Sequence, residues 1–233
     1  MADPSVLLAA GAAGYLLGSI SSARLVARAV APGVDLRDTR VAHDGAGDEP
    51  IPLAGVSATS VAAHLGGRWA LVVALLDVAK VALPTLASAL LAPGTDAPLV
   101  AAATAVVGHV WPVWHRFVGG FGVTTILGGL LVLDPLAIPV TIAVGGVLGL
   151  ALADRLVGFD GWTLLLPGWF LLRGEPSGAV YAVVVVAVYW FAMRDEVLDH
   201  LRRLRRGGRG WRERLGDFRS GYTGRTSRPA ADS

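Results

Sequence analysis

The chain has no cysteine, which excludes disulfides, thiolate catalysis and Cys-type metal sites. It has a single lysine, Lys80, so apart from five histidines every other basic residue is an arginine. Charge is scarce: 16% of the 233 residues are charged, against 54% hydrophobic. With a mean hydropathy of +0.58, that balance excludes an ordinary soluble domain and predicts an integral membrane protein. No internal repeat is visible, which counts against transporter architectures built on repeats. A positive n-region is also lacking. Met1-Ala2-Asp3-Pro4-Ser5 opens an apolar stretch that leads directly into Arg24 and Arg28, which predicts a first transmembrane helix with its N-terminus outside rather than a signal peptide.

What is present is a series of apolar runs. They place spans at about 5–23, 69–91, 98–114, 123–133, 138–153, 161–172 and 177–193. A polar loop covers about 32–55, and a short helix is expected from Ser57 to Leu65. The expectation is therefore an all-α polytopic membrane protein of about seven transmembrane helices, N-terminus outside and C-terminus inside. The run at 123–133, stopped by Asp134-Pro135, is short, and as a re-entrant segment it would change that count. With seven spans, Arg24, Arg28, Arg37, Arg40, Arg68, Arg116 and Arg155 fall inside, and only Arg173, beside Glu175, falls outside. The chain divides into a transmembrane domain at 1–193 and a basic cytoplasmic tail at 194–233, helical from Asp195 to Arg206 and disordered towards Ser233. The tail reads as a topology anchor touching anionic lipid headgroups, not as a nucleic-acid-binding element.

Few residues in the apolar body carry chemistry. Asp77 and Lys80 lie one turn apart inside a span, where buried charges should pair with each other or face the protein interior. Tyr15-Leu16-Leu17-Gly18-Ser19-Ile20-Ser21-Ser22 ends the first span with small residues, suited to close helix packing or to the wall of a polar cleft. Gly33-Val34-Asp35-Leu36-Arg37 opens the first inside loop, where Arg37 and Arg40 match phosphate oxygens or lipid headgroups. His109 lies in an apolar helix, and His115 is not at metal-ligand spacing from it, so no metal site is expected. The most informative stretch runs from Gly108-His109-Val110-Trp111-Pro112 to Phe117-Val118-Gly119-Gly120-Phe121-Gly122-Val123. Glycine-rich backbone at membrane depth should line a site, and its N–H groups suit an anion.

Taken in order, these pieces resemble the bacterial acyl-phosphate:glycerol-3-phosphate acyltransferase (PlsY) family. The resemblance is carried by Gly18-Ser19-Ile20, Gly33-Val34-Asp35-Leu36-Arg37, Ala58-Thr59 before Leu65-Gly66, and Asp77-x-x-Lys80. It continues through Gly108-His109-x-x-Pro112, Phe117-x-Gly119-Gly120-x-Gly122-Val123 and the Arg155-Leu156-Val157 corner, and covers about residues 10–206. It implies a seven-helix membrane fold in the bacterial plasma (inner) membrane, with the active site at the cytoplasmic face. It also implies transfer of a fatty acyl group from acyl phosphate to the 1-hydroxyl of glycerol 3-phosphate, giving lysophosphatidic acid, with membrane lipids as surroundings and no metal, nucleotide or nucleic acid. Acyl phosphate carries its own leaving group, so the protein must position two phosphates and stabilise developing charge. The candidate site has Ser19 and His109 as catalytic residues. Arg37, Arg116, Gly119, Gly120, Gly122 and Arg155 are candidate substrate and phosphate ligands, with Asp77 and Lys80 as a structural ion pair.

The chain also departs from the family pattern. The two lysines of Phe-Lys-Gly-Gly-Lys-Gly are replaced by Val118 and Phe121, and the serines after the Arg-x-Val corner by Gly158 and Gly161. Gly45-Ala46-Gly47-Asp48 stands where the family has Gly-Ser-Gly-Asn, and the closing His-Arg-Glu-Asn is missing. Each lost charge-assisted phosphate contact removes about 1.5–3 kcal/mol. Two expectations follow. An active acyltransferase should bring arginines together around a phosphate-sized pocket, with Arg37, Arg116 and Arg155 converging near the glycine loop and Arg24 or Arg40 as further replacements. A catalytically silent or substrate-altered relative, binding lipid, acyl phosphate or a partner enzyme, should fill the cleft at Gly119-Gly120 with Phe121, Trp111 and Trp114.

Overall fold

A computed structural model describes residues 3–41, 51–52 and 55–206, together with Trp211 and Leu215. The loop glycines at 45–48 and most of the tail beyond 206 lie outside the described residues. The described chain is helical apart from one two-residue antiparallel pairing, β1 (Arg40–Val41) with β2 (Ile51–Pro52).

The first apolar run forms two helices, α1 (Pro4–Gly18) and α2 (Ser22–Val30). Asp3 caps α1 by accepting from the Ser5 N–H, and Ser21 caps α2. Next come α3 (Ala58–Leu65), started by a capping box between Ser57 and Ser60, the long α4 (Gly67–Leu91), and α5 (Ala97–Val110). A 3₁₀ turn at Val113–His115 leads into the glycine loop, followed by α6 (Val123–Leu133), α7 (Ala137–Leu152), α8 (Arg155–Phe159), a second 3₁₀ turn at Gly161–Leu165, α9 (Leu166–Leu172), α10 (Pro176–Ala192) and α11 (Arg194–Arg206).

Three stretches are long and apolar enough to cross a bilayer: Pro4–Val30, Gly67–Leu91 and Ala97–His115. A fourth is reached if Pro176–Ala192 and Arg194–Arg202, bent by 64°, count as one. The apolar helices Val123–Leu133, Ala137–Leu152 and Gly161–Leu172 are shorter. Leu71, Leu75, Leu83, Val147, Leu172 and Val180 project outward, as lipid-facing side chains do.

Helix α1 runs along α5 with almost no side chain between them. A β-carbon on Gly18 would sit 2.1 Å from the Ala105 carbonyl oxygen, and one on Gly108 would sit 2.3 Å from that of Tyr15. Only glycine permits this approach. It brings the end of α1, with its serines, against the end of α5, with His109. Behind them Val81, Ala102, Val106, Ile126, Leu130 and Val185 form the apolar core.

Candidate active site

The site lies where the break between α1 and α2, the middle of α4, the end of α5 and the glycine loop meet. Asp77 and Lys80 project from α4 one turn apart, and Lys80 Nζ lies 2.8 Å from Asp77 Oδ1. Ser22, the first residue of α2, donates its hydroxyl to the same carboxylate oxygen at 2.7 Å. Lys80 Nζ also contacts the Ile20 carbonyl oxygen at 2.9 Å and His109 Nδ1 at 2.8 Å. Asp77 is 2% exposed, His109 7% and the Lys80 side chain 8%. Buried charges survive only when paired and hydrogen-bonded, and these are.

The glycine loop lies on the backbone of His109. Gly120 N–H donates to the His109 carbonyl oxygen at 3.2 Å, and Val56 N–H donates to the Gly119 carbonyl oxygen at 2.8 Å. A β-carbon on Gly119 would meet the His109 carbonyl oxygen at 1.9 Å, and one on Gly120 would meet His109 Nε2 at 2.4 Å. Gly122, at φ +109°, turns the chain into α6, whose N-terminus has no side-chain cap. A narrow slot remains, lined by Ser19, Ser22, Asp77, His109, Gly119 and Gly120, among others. Its volume is about 10 Å³, the size at which a single water-sized group begins to fit. Ser19 is fully buried; its hydroxyl donates to the Tyr15 carbonyl oxygen at 2.8 Å and accepts from Val113 N–H at 3.4 Å.

Beside the slot is an open cavity of about 190 Å³, lined by Arg24, Arg28 and Arg37 with Asp35 and Val56. Val56 lines both spaces, so they adjoin. The local sequence explains the gathering of arginines. Helix α2 buries Ser22, Ala23, Val26 and Ala27, which leaves Arg24 and Arg28, spaced i and i+4, together on the other side. Gly33, at φ +102°, then turns the chain back, and Leu36 packs with Val26, Ala27 and Val56 so that Arg37 arrives from the loop. Arg24 donates to the Ser21 hydroxyl through Nη1 at 3.2 Å, and its Nη2 is buried with no hydrogen-bond partner. Asp35, the one carboxylate among the described residues that line the cavity, accepts from the Arg37 backbone N–H.

The remaining candidates lie elsewhere. Arg116 is exposed on the turn before the loop, at φ +53°, followed by Phe117 at φ +61°, and lines neither space. Arg155 opens α8, which packs on α7 and the second 3₁₀ turn, and its guanidinium lies 5.9 Å from the Phe159 ring. Among the residues whose side chains are described, which excludes Arg40, the arginines that share one cavity are therefore Arg24, Arg28 and Arg37. Arg28 was missed as a site residue because its charge was fully accounted for by topology, although its i, i+4 spacing from Arg24 was a visible signal. The aromatics do not plug the cleft either. Phe121 packs against the helix core, Trp111 meets Phe191 in a tilted ring contact at 5.8 Å, and Trp114 is 59% exposed, donating to the Leu16 carbonyl oxygen.

A buried polar slot beside an arginine-lined cavity, on a bundle of apolar helices, suits a membrane enzyme that handles a phosphate-bearing substrate. Comparison with known proteins agrees. The family model for glycerol-3-phosphate acyltransferase matches residues 8–206. The glycerol-3-phosphate acyltransferase of Anaeromyxobacter sp. (strain Fw109-5) is 34% identical over 212 residues, which is 89% of this chain and 97% of that protein. That of Myxococcus xanthus (strain DK1622) is 42% identical over 127 residues, 53% of this chain and 58% of that one. The crystal structure of PlsY, an integral membrane glycerol 3-phosphate acyltransferase, in its glycerol 3-phosphate form superposes with a TM-score of 0.70 at 26% identity, covering 90% of this chain and 98% of that one. Its lysophosphatidic acid form gives 0.68 at 25%, with the same coverage. The class is that of integral-membrane acyltransferases in phospholipid synthesis. Within it, this chain belongs to the glycerol-3-phosphate acyltransferase family.

Proposed function

We propose that the chain transfers the acyl group of an acyl phosphate to the 1-hydroxyl of glycerol 3-phosphate, giving lysophosphatidic acid, at the cytoplasmic face of the bacterial inner membrane. One observation carries this reading: three arginines line a single cavity that adjoins, through Val56, the polar slot at His109 and Gly119-Gly120. Guanidiniums match phosphate oxygens in geometry and charge, and they stand in for the lysines replaced by Val118 and Phe121. The glycerol 3-phosphate named for the relatives has a phosphate of that kind. In this reading Arg24, Arg28 and Arg37 hold phosphate. Gly119 and the uncapped N-terminus of α6 offer backbone N–H groups to the second phosphate, while the Gly120 N–H holds the loop on the His109 carbonyl oxygen. Ser19 ties the end of α1 to the 112–115 turn and so positions the loop.

The reaction needs no metal or nucleotide, and the acyl chain stays among the apolar helices. Three long apolar stretches, the bent pair of α10 and α11 and three shorter apolar helices are seven segments in all, and if each crosses, the positive-inside rule sets the N-terminus outside. The silent-relative reading expects an aromatic plug, and the residues lining the slot do not include Phe121, Trp111 or Trp114.

The test is acyl transfer by purified protein with acyl phosphate and labelled glycerol 3-phosphate, alongside Arg37→Ala. Lysophosphatidic acid from the parent, with KM for glycerol 3-phosphate raised about 10-fold or more in the variant, is the expected result. No product from folded parent protein, with other acceptors also inert, would sink the reading.

A further inference from the structure

The hydrogen-bond inventory of Lys80 fixes the protonation of its neighbour. An ammonium has three N–H donors and no acceptor. Three acceptors surround this one: Asp77 Oδ1 at 2.8 Å, the Ile20 carbonyl oxygen at 2.9 Å and His109 Nδ1 at 2.8 Å. One donor serves each, so Nδ1 of His109 accepts. A neutral imidazole that accepts at Nδ1 carries its proton on Nε2. An imidazolium would set an N–H against the ammonium, so the same contact excludes it. Nε2 is on the side of the ring that faces Gly120, where a β-carbon would stand 2.4 Å away, and His109 lines the slot with Ser19, Pro112 and Gly119.

We propose that Lys80 holds His109 as a fixed hydrogen-bond donor, and that the Nε2–H of His109 stabilises the negative charge that develops on the acyl carbonyl oxygen during transfer. This rests on the acyl-transfer reading above. The slot, at about 10 Å³, is sized for one oxygen rather than for a sugar phosphate. His109 then acts as an electrophilic donor and not as a general base, because neither ring nitrogen has a lone pair free for a proton. The step balances without one. The glycerol 3-phosphate hydroxyl oxygen bonds to the carbonyl carbon, and the bond from that carbon to the bridging phosphate oxygen breaks. The electron pair leaves on the phosphate, which takes the hydroxyl proton and departs as hydrogen phosphate. His109 ends as it began, and Lys80 is a positioning residue that never touches the substrate.

Two measurements on the full-length protein test this. The first is ¹⁵N NMR of histidine-labelled protein, which reads the tautomer without turnover. The expected result is Nε2–H with a bare Nδ1 for His109 across neutral pH, giving way to mixed tautomers in Lys80→Met. An Nδ1–H tautomer or an imidazolium in the parent overturns the proposal. The second compares His109→Gln, whose amide N–H can replace the donor, with His109→Ala. The Ala variant should lose about 100- to 1,000-fold in kcat, as loss of one oxyanion donor does, with the Gln variant at least 10-fold better and KM little changed in both. Equal loss in both, together with a rising pH limb of kcat that vanishes in both, makes His109 a base and overturns the donor role. A parent with the expected tautomer but no transfer overturns the acyl-transfer reading and the donor's part in it, and leaves the Lys80–His109 positioning standing.

Discussion

Around His109, three ionisable side chains and the Ser22 hydroxyl are closed in on one another beside a space of about 10 Å³. Around Arg24, a few residues away, three guanidiniums line an open cavity of about 190 Å³. The chain's single lysine is in the first region, and only arginine supplies cations to the second. The difference shows where a charged residue can be exchanged. In the slot the ammonium is a compact donor to three acceptors, an arrangement the flat guanidinium fork does not reproduce. In the cavity, positive charge near a phosphate is the requirement. It can be met from α2 or from the following loop, so a lysine lost from one element can be replaced by an arginine on another.

The strongest way to break this comparison is to remove the ammonium. Lys80→Met leaves the Asp77 carboxylate buried with Ser22 as its remaining hydrogen-bond donor. Breaking a buried pair from one side destabilises by about 3–5 kcal/mol, whereas removing both partners is far milder. Unfolding in detergent should show Lys80→Met well below the parent, with the Asp77→Asn, Lys80→Met double variant recovering most of the loss. A single variant as stable as the parent would mean that the slot is no more exacting than the cavity.

The cavity should respond in affinity, not stability. Arg24→Ala and Arg37→Ala each remove one charge-assisted contact, worth about 1.5–3 kcal/mol, so KM for glycerol 3-phosphate should rise about 10- to 100-fold. The melting transition should hardly move, since Arg37 is exposed and Arg24 half-buried. Raising the salt concentration should weaken the parent in the same direction. If the two variants change kcat with KM constant, the guanidiniums act on the chemistry and the division of labour between the two regions is wrong.

Legibility in the sequence followed the range of the interactions. The long apolar runs reported their helices directly, and the i, i+3 spacing of Asp77 and Lys80 put them on one face of α4. The contact between Lys80 and His109 spans 29 residues of sequence and depends on α1 and α5 approaching through Gly18 and Gly108. No local pattern carries that. The break of the first run into α1 and α2 was hidden because its small polar residues suit both a helix interface and a cap; as a cap, Ser21 redirects the chain and with it Arg24 and Arg28. Arg155 illustrates the converse, since the family-like order of residues around it says nothing of where α8 packs.

Restoring a lysine sharpens the comparison with a smaller effect. Val118 is 39% exposed on the turn next to Gly119, so Val118→Lys adds charge without disturbing packing. KM for a phosphate-bearing substrate should fall by less than about 10-fold, with stability within about 0.5 kcal/mol of the parent. Phe121→Lys is the contrast, because Phe121 packs against the helix core and a cation there is forced into apolar surroundings. That variant should lose stability measurably in the same unfolding experiment. Equal tolerance at both positions would show that the family's second lysine site remains open.

The smallest effect is expected at a hydrogen-bonded His–Asp pair outside both regions. His200 on α11 meets Asp154 Oδ2 at 2.9 Å, while Asp154 Oδ1 caps α8 by accepting from Val157 N–H. Burial raises the Asp154 carboxyl, but the hydrogen bonds from His200 and the Val157 backbone outweigh it and hold the group below the ordinary value of 3.8. A depressed carboxyl contributes stability that is present above its unfolded value and lost as pH falls through its folded one. The docking of α11 should therefore weaken as pH falls below about 4. For a partly buried pair near the surface the loss is about 0.2–1 kcal/mol. Trp211, whose Nε1–H donates to the Ala151 carbonyl oxygen, reports the docking, and the fluorescence difference between the parent and Trp211→Phe isolates it. Asp154→Asn should show the weakened docking already at neutral pH and no acid step. An acid step of unchanged size in that variant would assign the titration to another carboxylate and leave burial, not pairing, as what separates this site from the slot.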